Sequence, residues 1–228
     1  MKKIIVSLFA FAFLFAGQLM AAPMQAYYCF NTQQPEVIIE AFDENFDALA
    51  SKGVSTHRLY EFHLNGQYGF THCIVSENSG PDAFEKTIKT FQGSEEGRAL
   101  LAKFHSVASD VLNGAGTPLA SVGDAVTPVA MLIDIRAKNN KLFVEELTKL
   151  MNSSDRQGSI SLFEDTFTGV KGRTHYVVIG GSSLDEVLNN FRGILSSPDG
   201  KVFLKKAPKF RKVMNKSLIY LVKTWEAS

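Results

Sequence analysis

The chain says one thing twice. The stretch "FTHCIVSENSGPDAF" starts at Phe70 and "RTHYVVIGGSSLDEV" starts at Arg173, so His72 and His175 stand 103 positions apart. The same offset holds without a gap from about Thr56 to Val107. It pairs Leu59 with Leu162, Glu61 with Glu164, Gly66 with Gly169, Val75 with Val178, Asp82 with Asp185 and Gly97 with Gly200. A fixed internal period constrains a fold more than composition does, because each copy must form the same unit and bury the same face.

Each copy reads as strand, helix, strand, strand, helix, strand. In the first, "AYYCFN" is rich in β-formers, and "PEVIIEAFDENFDALAS" spaces Ile38, Ile39, Phe42 and Phe46 as on a helix. "HRLYEFHL" and "YGFTHCIV" flank the hairpin signal "NGQ". A helical region follows from Pro81 to about Leu112, with "TPLASV" as a weak last strand. The second copy runs "VAMLIDIR", "NKLFVEELTKLM", "SISLFEDTF", "RTHYVVIG", a helical region from Ser183 to about Met214, and "LIYLVKTW". Both long helices break at matching places, "GSEEG" and "SSPDG", where Ser94 and Ser197 have the chemistry of N-caps.

This order is the ferredoxin-like βαββαβ pattern. The expected class is α+β, with two tandem units over residues 22–123 and 124–228. The doubled unit with its broken second helix resembles the dimeric α/β-barrel superfamily, here fused in one chain so that two sheets pack on each other. That resemblance implies a fold shared by monooxygenases, haem-degrading and peroxidase-like enzymes, isomerases and plain small-molecule binders, so it selects no function by itself.

Residues 1–21 carry Lys2-Lys3, an apolar run from Ile4 to Ala16 and Ala21 before Ala22-Pro23. The pattern predicts a secretory leader cut after Ala21 and a bacterial protein of the periplasm or the exterior. No later segment is long and apolar enough to span a bilayer. The formal charge of +1 excludes a general nucleic-acid binder. The halves differ, with 12 acidic and 6 basic side chains over residues 22–123 against 11 and 16 over 124–228. That asymmetry favours docking of the halves on each other or self-association, and the run "KVFLKKAPKFRKVMNK" reads as a solvated amphipathic face, with an anionic surface or the acidic half of another copy as its functional alternatives.

The candidate site comes from the repeat. A hairpin centred on Gly66-Gln67 sets Glu61 opposite His72, and the same construction sets Glu164 opposite His175. Tyr60, Phe62, Leu64, Phe163 and Phe167 form the more apolar face and are expected under the helices. Glu61, His72, Glu164 and His175 are then expected to face the other sheet, where carboxylates raise the histidine pKa values. Such a set can hold a divalent metal, serve acid-base chemistry in a cavity, or act as a polar couple that sets hairpin register. The same alternation sends Cys73 toward the helices and Cys29 toward the inter-sheet side with Tyr27, which predicts two unbridged thiols. No nucleotide-binding, CxxC, HExxH or GxSxG motif is present. No cofactor is specified, and a haem ligand has no spacing signature to read. Two function classes remain: a periplasmic or secreted small-molecule binder or enzyme using the inter-sheet cavity, or a non-enzymatic interaction module with that space filled.

Overall fold

The computed structural model describes residues 22–124, 126–153 and 158–227; the predicted leader lies outside the described residues. The elements run β1 (Met24–Asn31), α1 (Pro35–Ser51), β2 (Thr56–Leu64), β3 (His72–Asn78), α2 (Pro81–Gly93), α3 (Glu95–Val107) and β4 (Ser109–Val122). The same order recurs as β5 (Val129–Ala137), α4 (Asn140–Asn152), β6 (Ser159–Phe167), β7 (His175–Gly181), α5 (Leu184–Ser196), α6 (Pro198–Phe210) and β8 (Arg211–Trp225). Ser94 and Ser197 cap α3 and α6 as expected, their hydroxyls accepting from the Gly97 and Gly200 amides at 3.0 and 2.9 Å. No helix among the described residues is long and apolar enough to cross a membrane.

The last strand of each half starts earlier than expected, at Ser109 and Arg211. These two strands are long, 14 and 15 residues, and each bridges the two halves. The β4 strand lies between β1 and β6, and β8 lies between β5 and β2. The eight antiparallel strands therefore close as β1-β3-β2-β8-β5-β7-β6-β4, each half lending its final strand to the other. Closure removes every sheet edge.

Two apolar layers lie outside the barrel wall. One centres on Phe42, Phe46, Leu49, Leu59 and Trp225 beneath α1–α3, the other on Phe143, Leu147, Leu162 and Phe210 beneath α4–α6. A third apolar cluster, with Tyr27, Cys29, Phe70, Cys73 and Tyr176, occupies the interior. A wall buried on both faces gives alternation no polar side to point outward. This overturns the expected facing. Tyr60, Phe62 and Phe163 point into the barrel, while His72 and His175 point outward, under the helices.

The expectation of free thiols falls for the same reason. Turning His72 outward turns Cys73 inward, onto the face already held by Cys29. The two are direct partners across the β1–β3 ladder and form a disulfide.

Candidate functional site

The predicted pairings are present in register, Glu61 with His72 and Glu164 with His175. They lie outside the barrel and do not converge. His72 stacks on Phe30 and His175 packs against Phe143, which belong to different helical layers. Their Nδ1 atoms share hydrogen bonds with the neighbouring hydroxyls of Thr71 at 2.8 Å and Thr174 at 2.9 Å. Glu61 instead approaches His63 at 3.3 Å on the surface, and Glu164 is exposed. Burial lowers both histidine pKa values and outweighs the opposing carboxylates, the reverse of the expected direction. Among the described residues no group of three or more His, Cys, Asp or Glu is placed to hold a metal ion.

Inside the barrel is a different constellation. A cavity of about 100 Å³ is walled by Tyr60, Phe62, Tyr68, Phe70, Phe163 and Tyr176, with the Cys29–Cys73 bridge in the same wall. At its polar end Arg173, placed just before β7, spreads its guanidinium between two inward carboxylates. Its Nη1 donates to Asp134 on β5 at 2.8 Å, and its Nε and Nη2 donate to Asp165 on β6 at 2.6 and 2.9 Å. Nη2 also donates to the Tyr27 hydroxyl at 2.7 Å. Tyr68, from the β2–β3 hairpin, donates to the second oxygen of Asp134 at 2.5 Å. Tyr176 donates to Gln25 at 3.2 Å. The guanidinium lies over the rings of Tyr27 and Tyr176, 5.1 and 4.8 Å from their centroids. The Arg173, Asp134 and Asp165 side chains are 5%, 0% and 1% exposed, so the cluster is buried.

The electrostatics follow from that burial. Desolvation works against the Arg173 charge, but its hydrogen bonds to Asp165 and the charges around it more than compensate, and its pKa is raised. Burial raises the pKa of Tyr27, Tyr68 and Tyr176, and the nearby carboxylates push the same way. Burial also pushes Tyr60 up to about 12. The phenols are therefore neutral donors at physiological pH. By formal charge, two carboxylates against one guanidinium leave the cluster with one excess negative charge. At the other end Glu77 is matched by buried Arg58.

Backbone clearance makes room for the phenols. A side chain on Gly114 would strike the Tyr27 hydroxyl and one on Gly116 the Tyr176 hydroxyl, and both glycines lie on β4. The repeat concealed this site. At the offset of 103, Asp165 and Arg173 correspond to Phe62 and Phe70, which form an edge-to-face pair at 4.8 Å in the first half. The visible signal was Asp134, an acid inside the apolar strand "VAMLIDIR", which needs a buried partner.

No protein-family model and no curated protein sequence matches the chain. Solved structures do match it. A proposed monooxygenase from Lactobacillus acidophilus NCFM is 14% identical, with 91% of this chain and 97% of that chain covered and a TM-score of 0.60. The fold is that of the dimeric α/β barrels. An anthrone oxidase-like protein shares this dimeric α/β-barrel fold at 12% identity, 91% and 94% coverage and a TM-score of 0.56. A haem-binding protein from Thermus thermophilus shares it at 6% identity, 89% and 92% coverage and a TM-score of 0.53. At these identities the likeness extends to the dimeric α/β-barrel fold alone.

Because one neighbour binds haem, the fit of that group to this chain is testable. The barrel cavity, at about 100 Å³, is well below the roughly 300–1,000 Å³ of sites that take large ligands. A second cavity of about 190 Å³ lies between the second-half sheet and its helices, lined by Ile133, Phe143, Phe191 and Phe203 with Arg211 and Lys216. Among the described residues no His, Cys, Tyr or Met lines it, so they present no axial ligand there. Haem does not fit the residues of either cavity.

Proposed function

We propose that this chain is a periplasmic or secreted small-molecule-binding protein whose ligand occupies the barrel interior against the Arg173 cluster. The observation that carries the reading is the buried fork of Arg173 between Asp134 and Asp165, facing an aromatic-walled void. A buried charge cluster is a poor way to gain stability, since apolar packing of similar volume is often as stable or more so. Its service here is to hold the Tyr27 and Tyr68 rings at fixed points around a cavity. The alternative, an interaction module with a filled inter-sheet core, is disfavoured by that void and its polar end.

The chemistry narrows the ligand. A volume of about 100 Å³, below the 150 Å³ or so of an engineered cavity that takes benzene, limits the ligand to one small ring at most. The excess negative charge disfavours anions. Tyr27, Tyr68 and Tyr176 already donate their O–H groups to protein acceptors, so among the described residues the protonated Tyr60 of the wall is the phenol left to meet an uncharged ligand with an acceptor oxygen, and it polarises that oxygen if the protein is an enzyme. The names borne by the neighbours, monooxygenase, oxidase-like and haem-binding, agree with small-molecule chemistry as a class.

Export and duplication belong to the same reading. The Cys29–Cys73 bridge supports an oxidising compartment. The repeated element order supports two tandem ferredoxin-like units, which superposition of residues 56–107 on 159–210 tests. Protein from its own host with an N-terminus at Ala22 is the expected product of leader cleavage. For binding, small neutral phenols should raise the melting temperature, and Phe163→Trp, which fills the cavity, should abolish the rise. Equal stabilisation of wild type and the Trp variant, or stabilisation by carboxylates alone, would sink the assignment.

A further inference from the structure

The most basic segment of the chain lies on α6. Its inner face, Phe203, Ala207 and Phe210, seals the second helical layer. Outward, Lys201, Lys205 and Lys209 stand exposed at four-residue spacing, followed by Lys212 at the start of β8. Val202 and Leu204 lie among them, 53% and 40% exposed. Among the described residues none of these four lysines has a carboxylate within 4.0 Å, whereas Lys206 reaches Glu146 at 3.0 Å. The fold does not require this charge. At the matching positions 103 residues earlier, Ala102, Ser106 and Ser109 replace Lys205, Lys209 and Lys212, and only Lys201 has a basic counterpart, Arg98.

A complementary stripe lies on α1. Glu36, Glu40 and Glu44 are exposed at the same four-residue spacing, with Asp47 beyond them. Glu44 reaches Lys103 at 2.6 Å, while Glu36, Glu40 and Asp47 have no cationic partner within 4.0 Å among the described residues. The second half lacks this stripe too. Matching the packing positions Phe42 and Leu49 to Phe143 and Leu150 puts Lys141 where α1 has Glu40.

We propose that α1 of one copy docks on α6 of a second copy of this chain. Four residues advance a helix by about 6 Å, so three acidic and three basic rungs match along about 12 Å. Complement in both sign and spacing is on the chain itself, and a formal charge of +1 leaves copies without net repulsion. The contact joins different surfaces and so extends head to tail. Exposed ion pairs are individually weak, so the association is concentration-dependent and lost in salt.

Sedimentation velocity of the purified protein tests this. The sedimentation coefficient is expected to rise with concentration in roughly 20 mM salt and to return to the monomer value in roughly 0.5 M. Replacing Lys201, Lys205 and Lys209 by Glu, or Glu36, Glu40 and Asp47 by Lys, should each weaken association by at least about tenfold. An equimolar mixture of the two variants should restore it, because the reversed charges match again. If a triple variant does not fold, Lys205→Glu and Glu40→Lys carry the same test. A wild type that stays monomeric in low salt, or a mixture that does not associate, overturns the proposal. So does lysine-dependent binding to anionic phosphatidylglycerol vesicles without self-association, which would assign the face to lipid.

Discussion

Cys29 and Cys73 tie β1 to β3 across a separation of 44 residues. Constraining a loop of that length in the unfolded chain is worth about 4 kcal/mol in the chain-entropy account, and measured effects run at about 2–4. Replacing both cysteines by Ala should lower the unfolding free energy by that amount in urea titrations. Arg173 is held by two buried carboxylates, so Arg173→Leu strands both. A loss of about 3–5 kcal/mol is expected, with Arg173→Lys between that value and wild type because an ammonium cannot make the fork. His57 gives a pH signature. It sits among Phe42, Phe46 and Phe91, its Nδ1 bonded to the Ser55 carbonyl at 2.6 Å, and burial lowers its pKa to about 4. The unfolded chain, near 6.5, binds the proton more readily between those values. Stability contributed by neutral His57 is therefore full above about pH 6.5 and lost as pH falls toward 4, by about 2–4 kcal/mol in all. Urea midpoints across that range should show the slope, and His57→Leu should reduce it, leaving the shares of His72 and His175, whose pKa values burial also lowers. An unchanged slope would place the titration elsewhere.

At the scale of elements, glycines separate required clearance from open space. Gly114 and Gly116 on β4 leave room for the Tyr27 and Tyr176 hydroxyls, so Ala at either position displaces a phenol and should cost about 1–3 kcal/mol by overpacking. A β-carbon added at Gly193, inside α5, would meet nothing within 4 Å, and Gly193→Ala should stabilise by about 0.5–1 kcal/mol. Thermal melts of the three variants check both signs. Gly97 and Gly200 are the repeat's matched pair. A side chain on either would meet the preceding helix at the Phe91 or Ile194 carbonyl, which explains why both halves have glycine where α2 turns into α3 and α5 into α6.

For the molecule as a whole, closure depends on exchanged strands. The β2–β8 and β4–β6 pairings are the two seams of the barrel. Residues 22–124 expressed alone would expose the inner wall and two unpaired edges. That fragment is expected to be unfolded or dimeric, never a folded monomer, and circular dichroism with size-exclusion chromatography decides between these outcomes. The barrel cavity and its charge cluster draw on both halves, through Tyr27 and Tyr68 from the first and Asp134, Asp165 and Arg173 from the second. Neither half contains the site.

Local sequence determined the element order, the caps at Ser94 and Ser197 and the hairpin registers that oppose Glu61 to His72 and Glu164 to His175. All of these depend on residues close together in the chain. Which way each strand faced was not local. Alternation distinguishes two faces only when one meets water, and in this barrel both faces of the wall are buried, one by helices and one by the opposite strands. The tertiary structure alone therefore decided that His72 points outward, that Cys73 turns in to meet Cys29, and that Arg173 finds Asp134 and Asp165. The 103-residue offset drew attention to residues the two halves share, while the polar site is built where they differ, from an ion pair at the positions that Phe62 and Phe70 hold in the first half.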